Sequence, residues 1–154
     1  MRHWLFKSEP SCFSFQDLQA RPDATEHWDG VRNFQARNFL RDQIQRGDRV
    51  LFYHSSIPEP AVVGLCTVVR EGYPDHTALD PTAGHHDPKA SPDNPIWYMV
   101  DVRADQPLPR PVPLALIRQH PRLADMPLVN RSRLSVQPLT PEQFDILLEL
   151  GGLS

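Results

Sequence analysis

Trp28-Asp29-Gly30-Val31-Arg32-Asn33-Phe34-Gln35-Ala36-Arg37-Asn38-Phe39-Leu40 opens on a tryptophan, turns at a glycine and runs into a helical pattern. Ala36, Phe39, Leu40 and Ile44 recur at the spacing of one helix face, Asn33 can cap the start, and Gly47-Asp48 supplies the stop and turn. The pattern predicts a helix over 34–45. Immediately after the turn, residues 49–54 carry the β-branched and aromatic side chains of a strand, as do 3–7 upstream and 61–70, 96–103 and 134–137 downstream. Short helices are expected over 14–20, capped by Ser14, and over 114–120. The last helix has the clearest signals: Thr140 as N-cap, Pro141 in the first turn, Gln143 completing a capping box, and Gly151-Gly152 past its end. Strands and helices do not alternate regularly, so an α+β fold with a curved or closed sheet is expected.

With 154 residues, the chain has the length of one domain and can build a core without disulfides or metal. Its longest apolar run, 61–66, is far below the ~20 residues of a membrane span. The first residues lack a secretory apolar stretch, so a cytoplasmic protein with reduced Cys12 and Cys66 is expected. The formal net charge is −3, from 16 Lys+Arg and 19 Asp+Glu, which argues against binding duplex DNA through many phosphate contacts. Local recognition stays open. Proline is frequent, at 17 positions, and residues 75–94 read as one irregular loop, either functional or disordered. Pro107, Pro109, Pro111 and Pro113 alternate with other residues, which suits an extended edge segment.

Four polar clusters fall at strand ends or at the helix start, where a pocket is commonly built. They are Lys7-Ser8-Glu9-Pro10, Trp28 to Asn33, Tyr53-His54-Ser55-Ser56, and Arg133-Leu134-Ser135-Val136. Near Gly30, an aromatic face, backbone N–H groups and the Arg32 cation are expected to lie close together, suiting a planar ring or an anion. The alternative is a buried tryptophan beside an ordinary capped helix. Ser8, His54 and Asp29 can be combined on paper into nucleophile, base and orienting acid, but no Gly-x-Ser-x-Gly turn accompanies them, so catalysis is the weaker reading. His76, His85, His86 and Asp87 lack the spacing of a metal site. No metal or cofactor is expected.

The same strings, Trp4-Leu5-Phe6-Lys7-Ser8-Glu9-Pro10, Trp28 through Asn38, Gly47-Asp48 with Phe52-Tyr53-His54-Ser55, and Arg133-Leu134-Ser135-Val136, closely resemble the EVE domain from the first residues to the last helix. The resemblance implies a single domain over 1–154 with a PUA-like fold, a pseudo-barrel of short strands flanked by helices, related to the YTH and ASCH domains. It further implies recognition of nucleic acid through a pocket for a modified base such as methylated or hydroxymethylated cytosine. Carried onto this chain, Trp28 matches a cage wall, Lys7 and Ser8 the pocket floor, Tyr53, His54 and Ser55 a neighbouring strand end, and Arg32 and Asn33 the edge contacts. Glu9, Gly30, Arg133 and Ser135 complete the candidate binding set. A second aromatic wall has no clear match, since Tyr73, His76, His85 and His86 are the ring-bearing residues of the equivalent loop.

These expectations define a base reader that takes its nucleotide single-stranded or flipped from DNA or RNA, acts as a monomer and touches no membrane. A sulfate or buffer sulfonate is expected at Arg32 and Asn33. The runner-up is a sensor of a small anionic metabolite bound at that same helix start.

Overall fold

The computed structural model describes residues 1–131 and 133–153. The first strand, β1 (His3–Ser8), is followed by helix α1 (Phe15–Ala20), the short strand β2 (Thr25–His27) and helix α2 (Phe34–Asn38), before the chain returns as β3 (Arg49–His54). β1 and β3 pair in parallel, with His3 opposite Arg49 and Ser8 opposite His54, so residues 9–48 form the crossover that parallel strands require. Two long strands, β4 (Ala61–Pro74) and β5 (Tyr98–Pro113), come next. Helices α3 (Leu114–Gln119) and α4 (Pro127–Asn130), strand β6 (Val136–Leu139) and helix α5 (Pro141–Leu150) close the sequence of elements.

The sheet order is β2-β5-β4-β3-β1-β6. The α+β class holds, but among the described residues the expected pseudo-barrel is not closed: β2 and β6 each have one neighbour. Nor are all its strands short, since β4 has 14 residues and β5 has 16. Register shifts at several points along the β4–β5 pair insert bulges, the usual device for bending a long ribbon.

Alternation along β1 and β3 sends side chains into two cores. Trp4, Phe6, Val50 and Phe52 join Cys66, Val68, Val100, Val102 and Trp28 on one face. Leu5, Leu51 and Tyr53 join Val62, Leu65, Ile117, Phe144 and Leu147 on the other. The entry to both strands is fixed by the buried Asp48 carboxylate, which accepts from the Trp4 indole at 2.9 Å, the Arg2 amide at 3.0 Å and the Gln45 amide at 2.9 Å. At the opposite end, His54 Nε2 accepts the Phe15 amide at 3.1 Å and anchors α1 to β3.

Local departures from the sequence reading have identifiable causes. The helix expected over 34–45 is α-helical only to Asn38 and continues as a wider π turn over Phe39–Gln43, closed by the Ile44 amide on the Phe39 carbonyl. There β4 presses close, and a β-carbon at Gly72 would lie 2.3 Å from the Leu40 carbonyl oxygen. β5 starts at Tyr98 because Ile96 has φ +62°, outside strand geometry. It then absorbs Pro107 to Pro113, whose half of the strand lies beyond the β2 pairing at Thr25–His27 and has an edge where missing N–H donors cost nothing. Leu134 belongs to a turn, its amide donating to Arg131, so β6 begins two residues later than expected. The capping boxes of Ser14 with Asp17 and of Thr140 with Gln143 are both formed.

Two outcomes follow. Asp48→Ala strands three donors in a buried site and is expected to cost about 3 kcal/mol in a urea titration. His54 has its pKa lowered from 6.5, chiefly by burial. A base depressed in the folded state contributes stability that is present above 6.5 and lost as pH falls below it through the folded value. His3 is shifted in the same direction. Urea midpoints should therefore drop from about pH 7 to about pH 5, and His54→Gln, which keeps an acceptor for Phe15, should leave only the His3 share.

Candidate functional site

The parallel pairing of β1 with β3 brings both strands to a common rim, where the Ser55 amide donates to the Ser8 carbonyl at 2.9 Å. Beside it, the Lys7 amide donates to the Ser135 carbonyl at 2.9 Å, placing the turn before β6 on the same rim. The segment after β2 supplies the remaining side. Together they enclose a cleft of about 710 Å³ lined by Lys7, Ser8, Glu9, Trp28, Gly30, Ser55, Arg133 and Ser135 of the candidate set. That volume is in the range of a small-molecule or nucleotide site.

Trp28 is among the residues lining this cleft and is also part of the core. Its amide donates to the Val100 carbonyl at 2.7 Å, and its ring meets Phe6 at 5.2 Å, Phe52 at 5.3 Å and Phe13 at 6.3 Å. With 7% of its surface exposed, it is a buried tryptophan, as the alternative reading expects, held by these rings with only its exposed remainder on the cleft. Phe13 also lines the cleft, edge-on to Trp28, with the Arg21 guanidinium 5.2 Å from its ring centroid. Sequence reasoning missed Phe13 because it lies in a turn between β1 and α1, where no periodic pattern marks it.

Polar groups surround the aromatic wall. Burial lowers the Lys7 pKa from its usual value. Ser8 Oγ donates to the Phe13 carbonyl at 2.6 Å, tying the floor to the second ring. Glu9 is exposed at the mouth, and its carbonyl accepts the Cys12 and Phe13 amides at 2.9 Å each. Glu26 has the Arg21 guanidinium and the His27 imidazole each at 2.9 Å, so its charge is met by Arg21. Ser56, at φ +59°, is a non-glycine residue in the left-handed region on the cleft wall, the kind of strain that clusters at binding sites.

The loop after β4 forms one margin. Asp75, 0% exposed, accepts from the Gly30 amide at 2.9 Å, from Arg32 Nη1 at 3.1 Å, and from the amide of Thr77 at 2.8 Å. Burial alone would raise its pKa; the hydrogen bonds of Thr77, Gly30 and Arg32 overcome this and hold it below the usual carboxylate value. His85 lies over Gly30 so closely that a β-carbon there would meet the imidazole at 2.7 Å, and Gly30 itself needs φ +76°. Of the ring-bearing residues considered for a second wall, His85 lines the cleft, while Tyr73 lies in β4 with its hydroxyl donating to Asp101.

Four residues of the candidate set are placed elsewhere. Tyr53 points into the core on the other face of the sheet, where burial pushes its hydroxyl up to about 12. His54 is buried and spends Nε2 on Phe15. Since Ser8 donates to Phe13 and His54 accepts from Phe15, the nucleophile–base pair considered from the sequence is not assembled. Arg32 is a clamp rather than an anion receptor: Nε and Nη2 donate to the His85 carbonyl at 3.0 and 2.6 Å, and Nη1 serves Val31 and Asp75. Its guanidinium also covers the Trp97 ring at 5.3 Å. The sulfate expected at Arg32, and the metabolite sensor built on it, lose their cation. Asn33 caps α2 through the Ala36 amide at 2.9 Å and borders a separate cavity. No group of three metal-ligating side chains is found among the described residues. No helix among them is long and apolar enough to cross a membrane.

Comparison with known proteins places this geometry. Human thymocyte nuclear protein 1 is 45% identical over 165 aligned residues, covering 96% of this chain and 73% of the human protein. The crystal structure of the human THYN1 protein in complex with 5-methylcytosine containing DNA is 43% identical, with a TM-score of 0.94 over 100% of this chain and 99% of that one. The YTH domain of the Zygosaccharomyces rouxii MRB1 protein shares the fold at 15% identity, with a TM-score of 0.56 over 99% of this chain and 88% of that one. Residues 2–150 match the EVE domain model, and with that span and those relatives the chain belongs to the EVE domain family.

Proposed function

We propose that this protein is a nucleic-acid reader that takes a modified pyrimidine, methylated or hydroxymethylated cytosine, into the cleft walled by Trp28. The observation that carries the reading is the cleft itself: a fixed indole and the Phe13 ring beside polar groups on Lys7, Ser8, Ser55 and Ser135. Its support from outside the chain is the human relative crystallised with DNA containing 5-methylcytosine. A methyl group is an apolar increment worth at most a few kcal/mol, so discrimination must come from a slot that the unmodified base leaves partly empty. Rigid walls serve that purpose, and Trp28, held by Phe6 and Phe52, has little freedom to close around a smaller ring.

Entry requires the base to be unstacked, which costs a few kcal/mol in a duplex and less in a single strand. Stacking on Trp28 returns roughly 1 to 3 kcal/mol. The protein acts as one domain and as a monomer, and its affinity rests on the base more than on phosphate.

The test is fluorescence anisotropy with matched oligonucleotides carrying cytosine, 5-methylcytosine or 5-hydroxymethylcytosine at one position. A preference of about tenfold for one modified form is expected, equivalent to ~1.4 kcal/mol. Trp28→Ala removes a core ring as well as the wall and is expected to lower the unfolding midpoint along with the affinity. Ser135→Phe instead fills the cleft and keeps the core; it should abolish the preference at an unchanged midpoint. Equal affinity of the wild type for all three oligonucleotides would remove the reading.

A further inference from the structure

Arg133 borders two cavities. One is the cleft; the other, about 320 Å³, is lined by Asn33, Gln35, Asn130, Arg131, Arg133 and Leu134. Their chemistry differs. The cleft is lined by Glu9, Glu26 and Asp29 as well as by Lys7, Arg21 and Arg133, whereas the second cavity has two guanidinium groups, three amides and a leucine, with no carboxylate among its described lining residues. Arg131 and Arg133 are both exposed, Arg131 Nη1 reaches the neutral Gln35 Oε1 at 3.3 Å, and neither guanidinium has an acidic partner among the described residues. In a chain with net charge −3, an acid-free pocket holding two arginines is a local reversal of sign. Amides beside guanidinium groups offer donors to anionic oxygens and acceptors to sugar hydroxyls.

α2, which gives Gln35 to this cavity, begins with Phe34. Phe34 neighbours Asn33 and Gln35 in sequence and is 59% exposed, an unusual position for a phenylalanine. Its ring is braced by stacking on Trp97, with centroids 4.8 Å apart and planes 24° from parallel, and Arg37 lies 5.0 Å from its centroid. An exposed, immobilised ring flanked by a guanidinium is the arrangement on which an unstacked base is held.

We infer that the second cavity and Phe34 form the path of the nucleic-acid strand beside the reading cleft, with Arg131 and Arg133 on its phosphates and Phe34 against a flanking base. The inference rests on the proposed function for its starting point, the base in the cleft, and assigns the adjoining residues a separate role. Arg133, shared by both cavities, marks the passage from one to the other. Because these contacts are to the backbone and to a neighbouring π face, they add affinity for strand length and none for the modification.

The experiment compares a modified nucleoside monophosphate with a single-stranded heptamer carrying the same base at its centre. Arg131→Ala should weaken the heptamer about fivefold to tenfold and reduce the salt dependence by slightly less than one unit of log Kd per log salt, as for one lost phosphate contact. It should leave the monophosphate unaffected, because Arg131 is not among the residues lining the cleft. Phe34→Ala should weaken the heptamer at an unchanged salt slope, whereas Phe34→Trp should restore it. Both variants should keep the unfolding midpoint of the parent. Equal loss for monophosphate and heptamer, or no loss for either, would overturn the path. Competition by inorganic phosphate at millimolar concentration against the monophosphate alone, with the heptamer unaffected, would identify an isolated anion site and would also overturn it. Failure of the reader hypothesis has a different signature: the wild-type heptamer would bind irrespective of modification, and Arg131→Ala would weaken all forms alike.

Discussion

The parallel register between β1 and β3 is the constraint from which the rest of the molecule follows. Parallel strands start and stop at the same ends, so Asp48 secures one end and Ser8 and Ser55 are brought together at the other. An antiparallel pairing would have separated those two residues by the length of the strand. The crossover imposed by this register is residues 9–48, and it carries Phe13, Trp28 and α2 across the same face that receives Phe6 and Phe52. The aromatic wall and the polar floor of the cleft therefore have a common origin in one strand pairing. Burial on both faces fixes that pairing further, because a slip of one residue would exchange Phe6 and Phe52 with Leu5 and Leu51 between two differently shaped cores.

Asp75 extends this order to the loop after β4. A carboxylate removed from water is stable only if its lone pairs are met, and Gly30, Arg32 and Thr77 meet them. The consequence is structural coupling: Gly30 and Arg32 belong to the crossover, Thr77 to the loop, and the His85 carbonyl is gripped by the same guanidinium. Trp97 adds a second attachment through its indole N–H on Asp87 at 2.7 Å. Proline-rich backbone that cannot form a helix is thus pinned by side chains, and His85 is delivered to the cleft margin beside Gly30.

Much of this was legible in the sequence, and the misses have physical reasons. The range of β3 and both capping boxes were readable because propensity, turn chemistry and burial agree there. Tyr53 was misplaced for the opposite reason: β3 is buried on both faces, so its run of apolar residues carries no alternation to say which face bears the cleft. Arg32 read as an anion receptor because its partner, Asp75, is 43 residues away in sequence and no local pattern announces it. The loop's order was encoded more locally than its prolines suggested. Asp75 with Thr77, Asp80 with Thr82 and Asp87 with Lys89 each form the same two-residue turn from side-chain oxygen to backbone amide, at 2.8, 2.9 and 3.0 Å. β2 escaped notice because three residues, entered from the left-handed Asp23 and Ala24, are too few for a period-two signal.

The charge pattern bears on how an acidic chain could discriminate among nucleotides. A modification such as a methyl group leaves the phosphate unchanged, so any affinity drawn from phosphate is equal for the modified and plain forms and dilutes selectivity whenever binding approaches saturation. Glu9, Glu26 and Asp29 line the cleft together with Lys7, Arg21 and Arg133, so the carboxylates and cations there balance and Arg21 is already paired with Glu26. In the adjoining cavity Arg131 and the shared Arg133 have no carboxylate among the described lining residues. In the proposed reader, separating the two chemistries in space would let the cleft be selected for shape, with the indole of Trp28 and the ring of Phe13 fitting a flat heterocycle. Backbone attraction then acts at a distance from the atoms that distinguish one base from another. On this view the carboxylates of the cleft are a selectivity device, because they offset its cations and so weaken the one interaction that every nucleotide could make equally well.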